Sequence, residues 1–413
     1  MRSPARPAPL ASLARALAVA SLLAPMGCRS SAAEADAGPS SSGSATPASS
    51  VGRAGSSAGP PSAEPSGSVS PASAPPLFEP VGLPEPELDP PSIALQREAM
   101  LRRMRAVLGT TDAELAALEA VFRRSPAIGQ GHPAATVRPM SRTECLERRR
   151  AAGVADVHKP HCGARFMVPI WDPGSGERED DARVCVDRYE FPGMPCEYPV
   201  TWATAREAAL LCKAVGKRLC DAHEWEGACA GAVLDPVAEY GFGPPRKGRY
   251  EAGQLHNKAR EVRWAYGLTK DHGKCATGSA KSKGCTATGG FLRCGSNAYP
   301  AGAFPACVSP FGVYDQHGNV AEHMSLPARP EDLGGRGGVG DTEMKGSWFI
   351  FQEYEAHTDD CRWRAPDWHG TRVMDHKSHA NYHLGFRCCR DVGGATHGAG
   401  GATEEARPGT TPR

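Results

Sequence analysis

The sequence predicts an α+β domain with little regular secondary structure, held together by disulfides. Three observations carry that prediction. Fourteen of the fifteen cysteines lie between Cys145 and Cys389, scattered and not grouped as paired Cys-x-x-Cys knuckles. That points to disulfides in an oxidising compartment and argues against structural zinc. From about Pro139 the chain becomes a Gly-, Trp- and Cys-rich mixture with few long periodic runs. The periodicity that remains is mixed: a strand-like alternation at Val184-Cys-Val-Asp-Arg-Tyr-Glu-Phe191, then two capped helices.

The N-terminus fits export. Arg2, Arg6 and Arg15 precede a short apolar run ending at Ala24, too short to span a bilayer, and Gly27-Cys28 follows. Residues 1–27 read as a signal peptide and Cys28 as a lipidation site, with simple secretion as the alternative. Residues 28–80 are dominated by Ser, Ala, Pro and Gly, a tether that cannot bury enough apolar surface to fold. The 47 basic and 46 acidic side chains nearly cancel, so no general field draws nucleic acid. The only membrane association expected is through the lipid anchor.

Residues 81–135 read as a helical hairpin. An apolar stripe through Met100, Leu101 and Met104 ends at Gly109, and Thr111-Asp-Ala-Glu114 is a capping box for the next helix. The main domain is placed at 139–392 and a disordered tail at 393–413. Within the domain one helix is expected from Thr201-Trp202 to Val215-Gly216 and another from the capping box Asp221-Ala-His-Glu224 to about Cys229. Beyond residue 232 the reading is mostly loop. The most unusual stretch is Pro310-Phe-Gly-Val-Tyr-Asp-Gln-His-Gly-Asn-Val-Ala-Glu322. Its Gly312, Gly318 and Asn319 permit turns, its aromatics anchor it, and Asp315 and Glu322 put two carboxylates in one loop.

Four segments, in order, resemble the formylglycine-generating enzyme (sulfatase-modifying factor) family. They are Tyr198-Pro-Val-Thr-Trp202, Gly216-Lys-Arg-Leu-Cys-Asp-Ala-His-Glu-Trp225, the stretch from Phe311 to Glu322, and Lys345-Gly-Ser-Trp348 followed by Leu384-Gly-Phe-Arg-Cys388. The resemblance implies a C-type-lectin-like α+β fold. It also implies that an active member carries a Cys-x4-Cys pair between Trp348 and Leu384, to hold Cu(I) and oxidise a substrate cysteine to formylglycine. Only Cys361 lies there, and the matched catalytic positions fall near Ala356 and near Ile350 or Phe351. Copper is therefore not expected, and no catalytic residue is assigned.

By the same matching, Cys361 pairs with Cys229 and Cys212 with Cys388, with Cys389 as the alternative to Cys388. Cys220, Cys275, Cys285, Cys294 and Cys307 are read as staples of the 232–309 region, Cys220 with Cys307 among them. The resemblance also implies a calcium site formed by Asp315, the carbonyls of Gly318 and Val320, and Glu322, a donor set suited to a hard ion. His376, His379 and His383 have i, i+3, i+7 spacing that could face a second metal from a helix. The corresponding family region is a loop, and unliganded surface histidines are the alternative.

Two functions follow as expectations. The first is a non-catalytic recognition or scaffold domain for a protein, peptide or glycan. The second is a formylglycine-generating-type oxidase, or another metal-dependent oxidoreductase, with a rearranged site.

Overall fold

The computed structural model describes residues 90–240, 249–286, 288–338, 340–365 and 371–394, all within the unit Pro71–Arg413. The expected signal segment, Cys28, the tether and nearly all of the tail lie outside the described residues. No described helix is long and apolar enough to cross a membrane.

Local signals set the first helices. Gly109 closes α1 (Ile93–Leu108) in the left-handed region at φ 73°. Thr111 and Glu114 then exchange the two hydrogen bonds of a capping box at the start of α2 (Asp112–Phe122). The apolar faces of both helices enter the main core: Met100, Met104, Leu118 and Phe122 share a buried cluster with Phe191, Leu211 and Phe386. A buried ion pair joins Arg103 of α1 to Glu197, and Arg142 of α3 (Arg142–Ala151) meets the same carboxylate at 2.7 Å. Burial pushes Glu197 up, but the two guanidiniums outweigh it and hold the carboxyl at about 2.

The strands are short. They are β1 (Met167–Ile170), β2 (Val184–Asp187), β3 (Arg218–Leu219), β4 (Ala321–Leu326), β5 (Asp341–Lys345), β6 (Leu384–Phe386) and β7 (Cys388–Asp391). One antiparallel sheet has the order β1-β2-β7-β3, and the other has the order β5-β4-β6 with β4 parallel to β6. Residues 321–325 of β4 are all buried, so this strand has no exposed face. That explains why its sequence does not alternate and reads as loop.

Two helices flank the sheets, α4 (Ala205–Ala214) and α5 (Ala222–Ala230). Capping boxes at Thr204/Glu207 and Asp221/Glu224 start them, and Gly231 ends α5 at φ 84°. The first helix thus begins about three residues later than the sequence implies. Thr201 bridges to Gly129 and Trp202 takes φ 59°, which no helix accommodates. The region beyond residue 232 also departs from the loop reading, because α6 (Pro236–Tyr240) and α7 (Arg249–Ala259) form there. Tertiary contacts support α7: Asn257 bonds both the N–H and the carbonyl of Arg364, and His256 bonds the carbonyl of Arg362.

All fourteen cysteines of the described region are paired: 145–196, 162–185, 212–388, 220–389, 229–361, 275–307 and 285–294. Cys220 therefore bonds Cys389 and not Cys307. The antiparallel register of β3 on β7 puts Arg218 opposite Cys389 and Leu219 opposite Cys388, so Cys220 lies beside β7 and reaches Cys389 diagonally, with the two Cα atoms 4.8 Å apart. Seven disulfides suit an oxidising, extracytoplasmic setting.

Candidate functional site

The segment between β5 and Cys361 is where thiol chemistry would have to sit. After Lys345 the chain turns at Gly346, whose φ is 75° and where a Cβ would lie 2.8 Å from the Gln316 carbonyl oxygen. Trp348, Phe349, Ile350 and Phe351 then bury their side chains in one apolar cluster. Ala356 is exposed. The matched positions thus hold two core hydrophobes and a surface alanine, and Cys361 is fully buried in its disulfide with Cys229. The arginines beside Cys361 face carboxylates: Arg362 meets Glu239 at 3.4 Å and Arg364 meets Glu226 at 3.0 Å.

The Pro310 to Glu322 loop is buried from Val313 onward and tightly turned, with positive φ at Gly312, Asp315, Gly318 and Asn319. Asp315 accepts the Gly302 N–H on Oδ2, while its Oδ1 is buried with no hydrogen-bond partner. Glu322 accepts Arg387 on both oxygens and Trp225 Nε1 on Oε2, which leaves a lone pair on Oε1. A third carboxylate, Glu190, accepts the Asn319 side-chain amide at 2.6 Å and the Val320 N–H at 3.1 Å. Burial, with Asp315 and Glu322 nearby, raises Glu190 well above the usual carboxylate range, and burial raises Asp315 to about 6. Glu190 escapes sequence reasoning because its contacts lie about 130 residues away.

Asp315 and Glu322 are oxygen donors of the kind a hard cation takes, and Asp315 offers a buried oxygen without a hydrogen-bond partner. Glu190, Asp315 and Glu322 are not among the described groups of three whose ligand atoms approach within 4.8 Å, and both Arg387 and Arg149 act on the Asp315 charge. The three histidines do not converge either. His376 and His383 lie in turns and His379 in an irregular segment, without a helix, so helical spacing does not apply to them. None belongs to the described groups whose ligand atoms approach within 4.8 Å. His383 instead stacks on Trp348 at 4.6 Å.

A cavity of about 930 Å³ opens between α6, α7 and the β4–β5 edge. Leu234, Ala252, Leu255 and Leu326 supply apolar wall, and Glu239 and His256 supply polar wall. His256 Nε2 donates to the Arg362 carbonyl, which leaves Nδ1 as an acceptor 3.8 Å from Glu239. Burial raises Glu239 and the adjacent Glu226 raises it further; burial lowers His256 to about 4. A carboxyl paired with Arg362 and an imidazole that burial disfavours charging give this half-apolar cavity hydrogen-bonding groups for a ligand.

Residues 179–392, more than half of the chain, match the sulfatase-modifying factor enzyme 1-like domain. The chain belongs to the sulfatase-modifying factor family. The two sheets, loop-rich layout and disulfides described above are those of a sulfatase-modifying-factor-like domain. No curated protein matches the chain. Among solved structures, it is similar to the Major Tropism Determinant I1 variant at 13% identity, over 55% of this chain and 53% of that one, with a TM-score of 0.26. The P3c variant of that protein is similar at 13% identity over the same shares, with a TM-score of 0.25. The chain spans about half the length of both.

Proposed function

We propose that this chain is an exported recognition or scaffold protein. In this reading the sulfatase-modifying-factor-like domain binds a protein, peptide or glycan and does not oxidise cysteine. Residues 1–27 are removed, Cys28 carries a lipid, and the 28–80 segment tethers the domain to the membrane. The observation that carries the reading is the pairing of Cys361 with Cys229, while Ile350, Phe351 and Ala356 stand at the matched thiol positions.

The cavity beside α7 is the ligand site the reading favours. An oxygen electrode with copper and a Cys-x-Pro-x-Arg peptide should register no consumption above the copper control. The uncharged polarity-sensitive dye Nile red should fluoresce with the wild type and lose that signal in Ala252→Trp, at an unchanged melting temperature. Peptide-dependent oxygen uptake would favour the oxidase alternative, and equal dye binding by the variant would displace the ligand from this cavity.

Calcium is the cofactor the reading includes, held by Asp315, Glu322 and the carbonyls of Gly318 and Val320. Its support is the unused Asp315 oxygen among three buried carboxylates. Asp315 has a folded pKa raised from 3.8 to about 6, so without a cation stability falls as pH rises through that window. Calcium should therefore raise the melting temperature more at pH 8 than at pH 5. Asp315→Asn should abolish the calcium increment yet match or exceed the wild type in chelator. A calcium increment that survives in the variant would place the ion elsewhere.

A further inference from the structure

The walls of the cavity beside α7 select among protein segment, peptide and glycan. They stand apart because their side chains are short: Ala232, Ala238, Ala252, Ala259, Ala328 and Ala365 line it. The resulting volume of about 930 Å³ is near the upper end for ligand sites. A sugar ring binds by laying its C–H face on an aromatic side chain. Tyr240 is the one Phe, Tyr or Trp among the described residues that line the cavity. Arg364 already lies over its ring at 4.8 Å, and His223 meets that ring edge-on at 5.3 Å. The lining therefore offers a glycan no aromatic platform.

Arg362 supplies a polar anchor. It lines the cavity, is 3% exposed, and donates to the Ala232 carbonyl at 3.0 Å and to Glu239 at 3.4 Å. Its Nε–H has no hydrogen-bond partner, and Glu261 Oε2 lies 3.8 Å from that nitrogen, beyond hydrogen-bond reach. A buried donor in this state is costly until an acceptor reaches it. Glu239 and Glu261 beside it repel an anionic acceptor, so a neutral amide carbonyl suits it. The other two arginines of the lining are spent outside it, Arg260 on Asp360 and Arg364 on Glu226. Asp235, Glu261, Asp341 and Glu343 add four carboxyl groups to Glu239. Arg263 and Arg372 meet two of these from partly exposed positions, where solvent screens the pairs. The lining thus presents mainly acceptors and asks its ligand for N–H donors and positive charge.

We propose that this cavity binds a basic, apolar peptide segment. Its apolar side chains sit between the alanine walls, a backbone carbonyl accepts the Arg362 Nε–H, and a lysine or arginine faces the carboxyl groups. Val237 and Tyr250, 56% and 53% exposed on α6 and α7, add apolar surface on the same two helices. The inference rests on the recognition reading of this cavity and narrows its ligand to one class.

Displacement of Nile red from the full chain tests it. The probes are the capped pentapeptide Leu-Lys-Leu-Lys-Leu, its counterpart with Glu at both Lys positions, and maltopentaose. At low salt the basic peptide should displace the dye at a concentration at least about tenfold below the acidic one. That advantage should shrink in sodium chloride of about 0.5 M. Maltopentaose should displace none. Glu261→Gln, at a side chain 47% exposed, should weaken the basic peptide about threefold at an unchanged melting temperature. Calorimetry should detect no binding of the basic peptide to Ala252→Trp. If the dye does not bind the wild type, the cavity reading itself fails. If the dye binds and the acidic peptide competes equally, maltopentaose displaces it, or no probe does, the peptide class falls while the cavity stands. Basic-peptide binding that is indifferent to salt and to Glu261→Gln, or that persists in Ala252→Trp, would also overturn the inference.

Discussion

Deleting the Cys212–Cys388 and Cys220–Cys389 bridges together, with alanine at all four positions, is expected to destabilise the domain by roughly 7 kcal/mol. Each deletion alone should cost only about 3 kcal/mol. The asymmetry follows from topology. Both bridges run to adjacent residues of β7 and close loops of sequence separation 176 and 169. While one bridge survives, the long loop stays closed, and the other closes only the short circuit between Cys212 and Cys220. The short circuit is worth about 3 kcal/mol, and the longer one, which the surviving Cys229–Cys361 bridge cuts to some tens of residues, about 4 kcal/mol in chain entropy. Guanidinium unfolding of the two pair deletions and the fourfold variant gives the comparison. Strict additivity would mean that the bridges do not share a loop.

The contrast between those two bridges also marks how far the sequence could be read. Signals confined to a few residues were legible: Thr111 with Glu114, Asp221 with Glu224, and Gly109 as a helix stop all act within one turn. The fold was legible as well, because four motifs in order resemble one family. Contacts set by strand register were not. The partner of Cys220 depends on how a two-residue strand aligns on β7, and no local pattern encodes that. Glu190 belongs to a strand-like stretch, yet its role lies in holding Asn319 and Val320. His317 carried no signal as a single histidine in a Gly-rich loop, since it serves as acceptor for the Ala265 N–H, 52 residues away. The helix α7 was missed because its amphipathic pattern is weak and much of its support comes from the backbone of the 362–364 segment.

Glu226→Gln is the single substitution expected to destabilise the molecule most, by about 3–5 kcal/mol, or roughly 10 °C in melting temperature. Glu226 is fully buried between two cations, Lys345 Nζ at 2.7 Å and Arg364 Nε at 3.0 Å. Burial alone would push this carboxyl up. Arg364 and Lys345 outweigh burial and hold it well below the usual carboxylate range. Without its charge, Lys345, itself fully buried, is left donating to the neutral Trp363 carbonyl. Glu239 limits the damage. Burial and then Glu226 raise it, so removing the Glu226 charge makes Glu239 a stronger acid that can partly neutralise Arg364, 3.8 Å away. Pairing Glu226→Leu with Lys345→Met should recover part of the loss, because a buried ion pair replaced by apolar groups of similar size is often near neutral. The pH dependence has a definite sign. A carboxylate depressed on folding stabilises above its unfolded pKa of about 4.5, and that contribution is lost as pH falls below it. The melting-temperature gap between wild type and Glu226→Gln should therefore be widest near pH 7 and shrink toward pH 3. A gap that stays constant across that range would assign the loss to packing and not to the ion pairs.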